Sequence, residues 1–138
     1  MFARSFLLTA TIVLFFGHGK LGAADPVDLE VVVGKDIHGK ILSEKETKKC
    51  ALETPFAEYP ADAMRRGIVG TGIYELRIDP KTGRVKGIVV IAAAGNPMLD
   101  QASMRALLKW RFKPGTVVTV RLPLGMKRMK GGTSGWVF

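Results

Sequence analysis

The segment Ile73–Ala93 carries the pattern that most restricts the fold of this chain. In its first part, Ile73–Asp79, apolar residues alternate with charged ones from Tyr74 onward, and a period of two is typical of a half-buried strand. Its last part, Val85–Ala93, is rich in valine and isoleucine, which favour strands. Between them stands Asp79–Gly83, in which proline presets a turn angle and glycine accepts a positive φ. The segment therefore predicts an antiparallel hairpin.

A capped amphipathic helix is predicted after the hairpin. Asn96 suits the N-cap position and Pro97 the first helical position. Small and apolar residues then recur at helical spacing on one stripe, namely Leu99, Ala102, Ser103, Ala106, Leu107 and Trp110. We expect this stripe to pack on the inner face of the hairpin, because neither apolar surface is stable in water alone. The residues Lys113–Gly115 end this part of the chain.

Two further elements flank the hairpin and its helix. A short helix is predicted over Pro60–Arg66, with Ala63 and Met64 facing inward. A final strand is predicted over Thr116–Leu124, with four apolar residues on one side: Val118, Val120, Leu122 and Leu124. Pro123 has no backbone donor, so we expect this strand to lie at a sheet edge.

The order helix, strand, strand, helix, strand predicts an α+β fold. Its expected form is a small two-layer sandwich, in which a three-stranded antiparallel sheet packs against two helices. An extra N-terminal strand is expected at Leu29–Val33, and Ile37–Leu42 is compatible with a turn and a second strand. The charged run Ser43–Lys49 is expected to be solvated and is compatible with one helical turn.

The chain is expected to divide into four segments. Residues 1–24 read as a secretory signal, because a short apolar run, Phe6–Phe16, follows Arg4 and small residues precede Asp25. Cleavage after Ala24 would leave a periplasmic or secreted protein. The alternative is an uncleaved inner-membrane anchor facing the periplasm, although the run is about half the ~20 residues that span a bilayer. Residues 25–55 form an N-terminal segment, residues 56–125 the domain, and residues 126–138 a loose, basic, glycine-rich tail.

The titratable residues give little support to an enzyme. The chain has two histidines, His18 and His38, and one cysteine, Cys50, which form no recognisable catalytic or metal-binding spacing. We therefore predict no catalytic residue, no metal and no cofactor, and a structural role for Cys50. The formal net charge of +9 favours an acidic partner. Nucleic acid is a poor candidate, because no nucleic-acid motif is present and an exported protein rarely meets it.

Several blocks, taken in order, resemble the C-terminal domain of TonB-family proteins. They are Tyr59–Ala63, Gly67–Thr71, Ile78–Val85, Leu99–Leu107 and Trp110–Gly115. The last block, Trp-Arg-Phe-Lys-Pro-Gly after a capped helix, is the strongest member of the set. The resemblance runs from Tyr59 to Leu124.

This resemblance implies a protein partner. Family members use the domain to contact outer-membrane transporters, and an extended transporter segment, the TonB box, pairs with the last strand of the domain. The matching positions would be the partner-binding residues here, namely Tyr59, Pro60, Ala61, Val118, Val120 and Leu122. An unpaired strand edge could equally support a homodimer, or could simply be protected by Arg121 and Pro123.

The N-terminal part departs from a full energy transducer. Residues 25–58 contain no proline-rich tract, and fully extended they would span about 110 Å at most. We therefore expect a free periplasmic module linked to TonB-dependent transport. The alternative is an exported envelope scaffold that binds anionic components through a basic face, without energy transduction. The candidate residues of this face are Lys109, Arg111, Lys113, Arg121, Lys127, Arg128 and Lys130.

Overall fold

A computed structural model describes residues 32–128 and 134–137 of the chain. Three helices and eight strands lie in these ranges: β1 (Val33–Asp36), β2 (Ile41–Leu42), α1 (Glu44–Cys50), β3 (Ala51–Glu53), α2 (Ala61–Arg65), β4 (Gly70–Ile78), β5 (Val85–Ala92), α3 (Pro97–Leu107), β6 (Arg111–Phe112), β7 (Val117–Arg128) and β8 (Ser134–Val137). The predicted signal segment lies outside the described residues. Within the described ranges, no helix is both long and apolar enough to span a bilayer.

The strands form one antiparallel sheet and one small accessory sheet. The main sheet has the order β2-β1-β7-β4-β5, β8 also pairs with β7, and β3 pairs with β6 in the accessory sheet. The α+β class with an antiparallel sheet is therefore confirmed. The three predicted strands correspond to β7, β4 and β5. Beyond β7 the sheet continues with β1 and β2, where a strand at Leu29–Val33 and a turn with a second strand over Ile37–Leu42 were expected. Strand β1 lies at Val33–Asp36, the expected strand residues before Val32 lie outside the described ranges, and β8 was not predicted.

The predicted hairpin is formed by β4 and β5. Its turn closes with a hydrogen bond from the Gly83 N–H to the Asp79 carbonyl (2.7 Å). Gly83 has a φ of +72° and lies buried against Phe112. The Phe112 N–H donates to the Gly83 carbonyl (2.8 Å), so the turn is fastened to the segment that follows α3.

Helix α3 begins and packs as predicted. The Asn96 side chain accepts from the Met98 N–H (2.9 Å), and Pro97 is the first helical residue. The predicted stripe is buried, at relative exposures from 0 to 6%, and its members are Leu99, Ala102, Ser103, Ala106, Leu107 and Trp110. This stripe covers the buried side of β4, where Tyr74, Leu76 and Ile78 are at most 1% exposed.

A hydrogen-bonded carboxylate ties α3 to the hairpin. One oxygen of Asp100 accepts from the Tyr74 hydroxyl (2.6 Å) and from the Ala94 N–H (2.9 Å). Burial and these contacts raise the pKa of Tyr74, so the tyrosine stays a hydrogen-bond donor at ordinary pH. Asp100 thus joins β4, the end of β5 and the first turn of α3.

The short helix α2 differs from its prediction in one inward residue. Ala63 is fully buried, as expected, but Met64 is 38% exposed. A helix of five residues has barely more than one turn, so a single position on each side of it can face the core. The prediction for Met64 was wrong for that reason.

The N-terminal unit, β1–β2–α1, is more regular than the sequence suggested. The charged run forms the seven-residue helix α1, with a capping box in which the Ser43 side chain accepts from the Glu46 N–H and the Glu46 side chain accepts from the Ser43 N–H. Thr47 is 1% exposed and packs against β1 at Gly34. The charged face is solvated, but its buried threonine fixes the helix on the sheet.

The capping box makes the N-terminal unit sensitive to acid. Hydrogen bonds from the Ser43 N–H and the Ser43 hydroxyl, together with the nearby Lys40 charge, lower the pKa of Glu46 from 4.5 to about 2. A depressed folded-state pKa gives stability that is complete above pH 4.5 and is lost as the pH falls toward 2. We expect the protection factor of the Thr47 amide, which is the intrinsic exchange rate divided by the observed one, to fall as the pH is lowered through this window in the wild type and to change little in Glu46→Gln. Equal pH profiles for both proteins would contradict this assignment.

The prediction of a loose tail was wrong for the described part of it. Strand β7 runs on to Arg128, and β8 pairs with it, with Gly125 opposite Val137 and Arg128 opposite Ser134. The glycine content of residues 126–138 had suggested an irregular end.

Candidate functional site

The candidate site is the side of β7 that faces away from β4, here called the outer edge of β7. The prediction that this strand ends the sheet was wrong. Its inner side pairs with β4 from Gly70↔Met126 to Arg77↔Thr119. Its outer edge pairs with β1 from Val33↔Arg121 to Asp36↔Val117. Local sequence patterns could not assign β1 to this place, because the two strands are more than eighty residues apart.

Neither neighbour covers the whole outer edge. Among the described residues, β1 pairs as far as Arg121, and β8 begins its pairing at Gly125. Pro123 falls in the interval between them. The backbone of Pro123, which has no N–H, therefore lies where neither β1 nor β8 pairs with β7. A proline at such a position is compatible with a strand inside the sheet, which is why the inference from Pro123 to a sheet edge was wrong.

The predicted contact residues of β7 do not all share one environment. Val120 and Leu122 are each 1% exposed and belong to the core, whereas Val118 is half-buried. The pairing with β1 shifts register between Lys35 and Asp36, which places a bulge at Val118. Val117 takes the core position instead. The simple alternation expected for the final strand is broken at this bulge.

The other predicted contact residues lie near the far end of β7. Tyr59 is 9% exposed, packs in a cluster with Met126 and donates its hydroxyl to the Ile68 carbonyl. Pro60 is half-buried and Ala61 is exposed. Tyr59 thus acts as a packed lid over this end of the core, and Ala61 is the member of the segment most open to a partner.

A cavity of about 300 Å³ lies beside the outer edge of β7. Its lining includes Val120 and Leu122 of β7 and Val32, the residue before β1. Trp110, which follows α3, also lines it. The Trp110 indole N–H donates to the Pro55 carbonyl (3.1 Å), which holds the ring beside the segment that contains Pro55. The cavity is mostly apolar, so it suits an aliphatic or aromatic side chain. The sequence pattern offered no signal for it, since its walls come from distant segments.

The opposite face of the sheet carries a small ionic network. Glu75 on β4 contacts Arg121 on β7 (2.8 Å) and Arg77 on its own strand (3.0 Å). Arg111, another member of the expected basic face, lies 3.5 Å from Glu53. Two of the residues expected to form a basic face are therefore engaged with carboxylates. Within the described residues, no group of three or more histidine, cysteine or acidic side chains is placed to hold a metal ion.

Comparison with known proteins gives a consistent assignment. The family described as Gram-negative bacterial TonB protein C-terminal matches residues 55–124. Protein TonB of Vibrio cholerae is 36% identical over 74 residues, which is 54% of this chain and 29% of that protein. Protein tonB2 of Pseudomonas aeruginosa is 35% identical over 86 residues, 62% of this chain and 27% of that protein. A solution NMR structure of the Pseudomonas aeruginosa TonB CTD has a TM-score of 0.45 and 25% identity, and covers 64% of this chain and 83% of its own.

The match defines which part of the chain is shared. It spans under a third of each of these two curated relatives, and the family match begins at residue 55, after β1, β2, α1 and β3. The strands β4, β5 and β7 and the helices α2 and α3 lie within or begin within the matched range. The chain belongs to the TonB C-terminal domain family.

Proposed function

We propose that this protein is a periplasmic strand-pairing module of TonB-dependent transport. Its partner would be an extended segment of an outer-membrane transporter, which would pair with the outer edge of β7. The observation that carries the proposal is the antiparallel pairing of β1 with that edge. A segment outside the family-matched residues already lies there, so the edge is suited to receive an extended chain.

The cavity beside the edge supports the same partner. Backbone pairing gives affinity for any extended segment, while side-chain pockets give selectivity. Because alternate residues of a strand point to one face, a paired segment would direct every second side chain toward Val120, Leu122 and Trp110. We therefore expect a preference for aliphatic or aromatic residues at those positions of the partner.

A partner that pairs along β7 must displace β1. The cover is small: four residues in β1 and two in β2. It is held by Thr47, because Gly34 allows the threonine side chain to approach the strand closely. A β-carbon at Gly34 would lie 2.6 Å from the Thr47 hydroxyl oxygen. Destabilising this contact should favour the state in which β1 has left the outer edge of β7, and should therefore strengthen partner binding.

The variant Gly34→Val tests the proposal. The probes are labelled peptides from the periplasm-facing N-termini of outer-membrane transporters encoded in the same genome, titrated by fluorescence anisotropy. We expect affinity to rise about tenfold, because apparent affinity scales with the population of the binding-competent state. The matched control is Gly87→Val on β5, where an added β-carbon meets Arg77 at an ordinary 3.8 Å. It should leave affinity unchanged.

Three results would count against the proposal. The first is that none of these peptides binds. The second is that a folded Gly34→Val protein binds with unchanged affinity. The third is that binding disappears with added salt and is the same in the wild type and in both variants. The last would favour the scaffold that uses a basic face. Proline substitution at Val120 or Leu122 is not a useful test, since both are core residues of a strand that pairs on both sides.

The proposed periplasmic location is tested by a separate measurement of the mature protein. If residues 1–24 are a cleaved signal, the intact mass of the protein from the periplasmic fraction should correspond to a chain starting at Asp25. A full-length product in the membrane fraction would instead support the anchored alternative.

A further inference from the structure

The cavity beside the outer edge of β7 has walls from two separate parts of the chain. The family-matched domain contributes four large apolar residues, namely Trp110, Phe112, Val120 and Leu122. The N-terminal unit and the strand that follows it contribute the opposite walls, with Val32, Thr47, Lys48, Ala51 and Leu52. The cavity therefore has this form only while the N-terminal unit lies on β7.

The polar side chains that line the cavity are engaged with other groups of the protein. The Thr47 hydroxyl donates to the Ser43 carbonyl (2.8 Å), and the Trp110 indole N–H donates to the backbone carbonyl described above. The Lys48 ammonium lies 2.5 Å from the Glu44 carboxylate, so its charge is balanced within the protein. The cavity thus presents mainly apolar surface, and burying a charged molecule in it would be costly. These features favour a neutral ligand.

The size and the aromatic residues of the cavity favour a ligand with two fused rings. Its volume is about 300 Å³, and an apolar cavity of about 150 Å³ holds one benzene molecule. The rings of Trp110 and Phe112 are both nearly buried, with centroids 6.3 Å apart and planes inclined by 51°. Aromatic rings favour such tilted contacts, so a third ring can join this pair. Leu52 is 52% exposed, which leaves its side of the cavity open to solvent.

We propose that this cavity is a regulatory site for a small, neutral, bicyclic aromatic molecule. The bound molecule contacts the N-terminal unit and β7 together, and it therefore stabilises the state in which β1 covers the outer edge of β7. It opposes transporter binding, and this consequence rests on the function proposed above. The binding site itself rests on the cavity and its two walls.

The first experiment titrates indole into the ¹⁵N-labelled wild-type protein and follows amide shifts by NMR. We expect saturable changes at Thr47, Val120 and Leu122 and at the Trp110 indole N–H. Benzene should bind at least about tenfold more weakly, because it buries less apolar surface. Indole-3-acetate should also bind more weakly, because its carboxylate would lose hydration. Indole shifts that do not saturate, or that lie away from the cavity, would overturn the proposal.

A substitution that fills part of the cavity tests the same site. Ala51 is half-buried and lines the cavity, so Ala51→Leu should raise the indole dissociation constant at least about tenfold by removing room for the ring. The matched control is Ala92→Leu, the same change at an exposed residue of β5, which should leave the constant unchanged. Equal indole affinities of the two folded variants would contradict the assignment.

The second experiment uses the wild type alone and measures whether indole holds β1 in place. Exchange of the Gly34 and Lys35 amides reports the departure of β1 from β7. Indole at nine times its dissociation constant should raise their protection factors about tenfold. The Arg66 amide, which bonds to the Asp62 carbonyl in the short helix α2, should change little because its opening leaves the cavity intact.

The outcome of the exchange experiment does not depend on any transporter peptide. Unchanged protection of the β1 amides in indole-saturated protein would overturn the regulatory site. If protection rises while the affinity for transporter peptides is unchanged by indole, the site stands, and pairing of the peptide with the outer edge of β7 is refuted instead.

Discussion

Gly83→Ala is expected to lower the free energy of unfolding by about 3 kcal/mol or more, the range reached when backbone strain and a steric overlap occur together. Gly83 has a φ of +72°, where a side chain is strained. A β-carbon there would also overlap the Phe112 carbonyl oxygen and lie 2.9 Å from its carbon. The backbone cannot yield without breaking the Phe112–Gly83 hydrogen bond. Urea unfolding monitored by far-UV circular dichroism measures the loss.

The matched control for this variant is Gly115→Ala. Gly115 also has a positive φ, +74°, but an added β-carbon meets nothing within 4 Å. It should therefore show the conformational cost alone, about 1–2 kcal/mol. If the two variants are equally destabilised, the contact with Phe112 contributes nothing, and the turn is not fastened to that segment as described.

Asp100→Ala is expected to destabilise the fold by about 2–3 kcal/mol. The substitution removes one acceptor shared by the Tyr74 hydroxyl and the Ala94 N–H, and buried donors left without a partner are costly. It also removes a negative charge from the first turn of α3, where the helix dipole favours it. Unfolding free energies from urea titration are compared with those of Gln101→Ala, an exposed neighbour on the same helix, which should change by less than about 0.5 kcal/mol.

A double-mutant cycle locates the effect. Tyr74→Phe removes the hydroxyl but keeps the ring, so it should cost about 1 kcal/mol. If the hydroxyl and the carboxylate act together, the double variant will lose less than the sum of the two single losses. Strict additivity would mean that Asp100 acts on α3 and Ala94 without Tyr74.

The elements that the sequence predicted well are those specified by neighbouring residues. Asn96 and Pro97 define the start of α3 through local backbone chemistry, and the Asp79–Gly83 turn defines the hairpin in the same way. These signals need no knowledge of distant segments. The carboxylate of Asp100 is different, because neighbouring residues indicate only its place in the first turn of α3 and cannot place Tyr74 beside it.

The strands that flank β7 could not be predicted from neighbouring residues in the same way. Strand order depends on contacts between segments far apart in sequence, and the apolar pattern of a central strand resembles that of an edge strand when one face is buried. Pro123 favoured an edge, although the structure accommodates it in an interval between two neighbours. The sequence nevertheless contained a partial clue, because a strand was expected to end at Val33, the residue at which β1 begins.

For the candidate site, too, the features specified by neighbouring residues could be predicted, and those formed by distant segments could not. The family resemblance located the relevant strand, but its partner-binding residues remain predictions. The cavity beside Val120 and Leu122 and the cover formed by β1 both arise from tertiary packing, which a single sequence does not display.

The central position of β7 also determines when the protein can fold. Its pairing with β1 joins Val33 to Arg121, and its pairing with β4 joins residues about fifty positions apart. Such distant contacts raise the entropic cost of the folding transition state and slow folding. During synthesis β1 and β4 emerge first and have no completed sheet to join until β7 follows them. The main sheet therefore assembles only after β7 has been synthesised, which keeps β1, β4 and β5 without a completed sheet for longer than in a domain with local strand pairing.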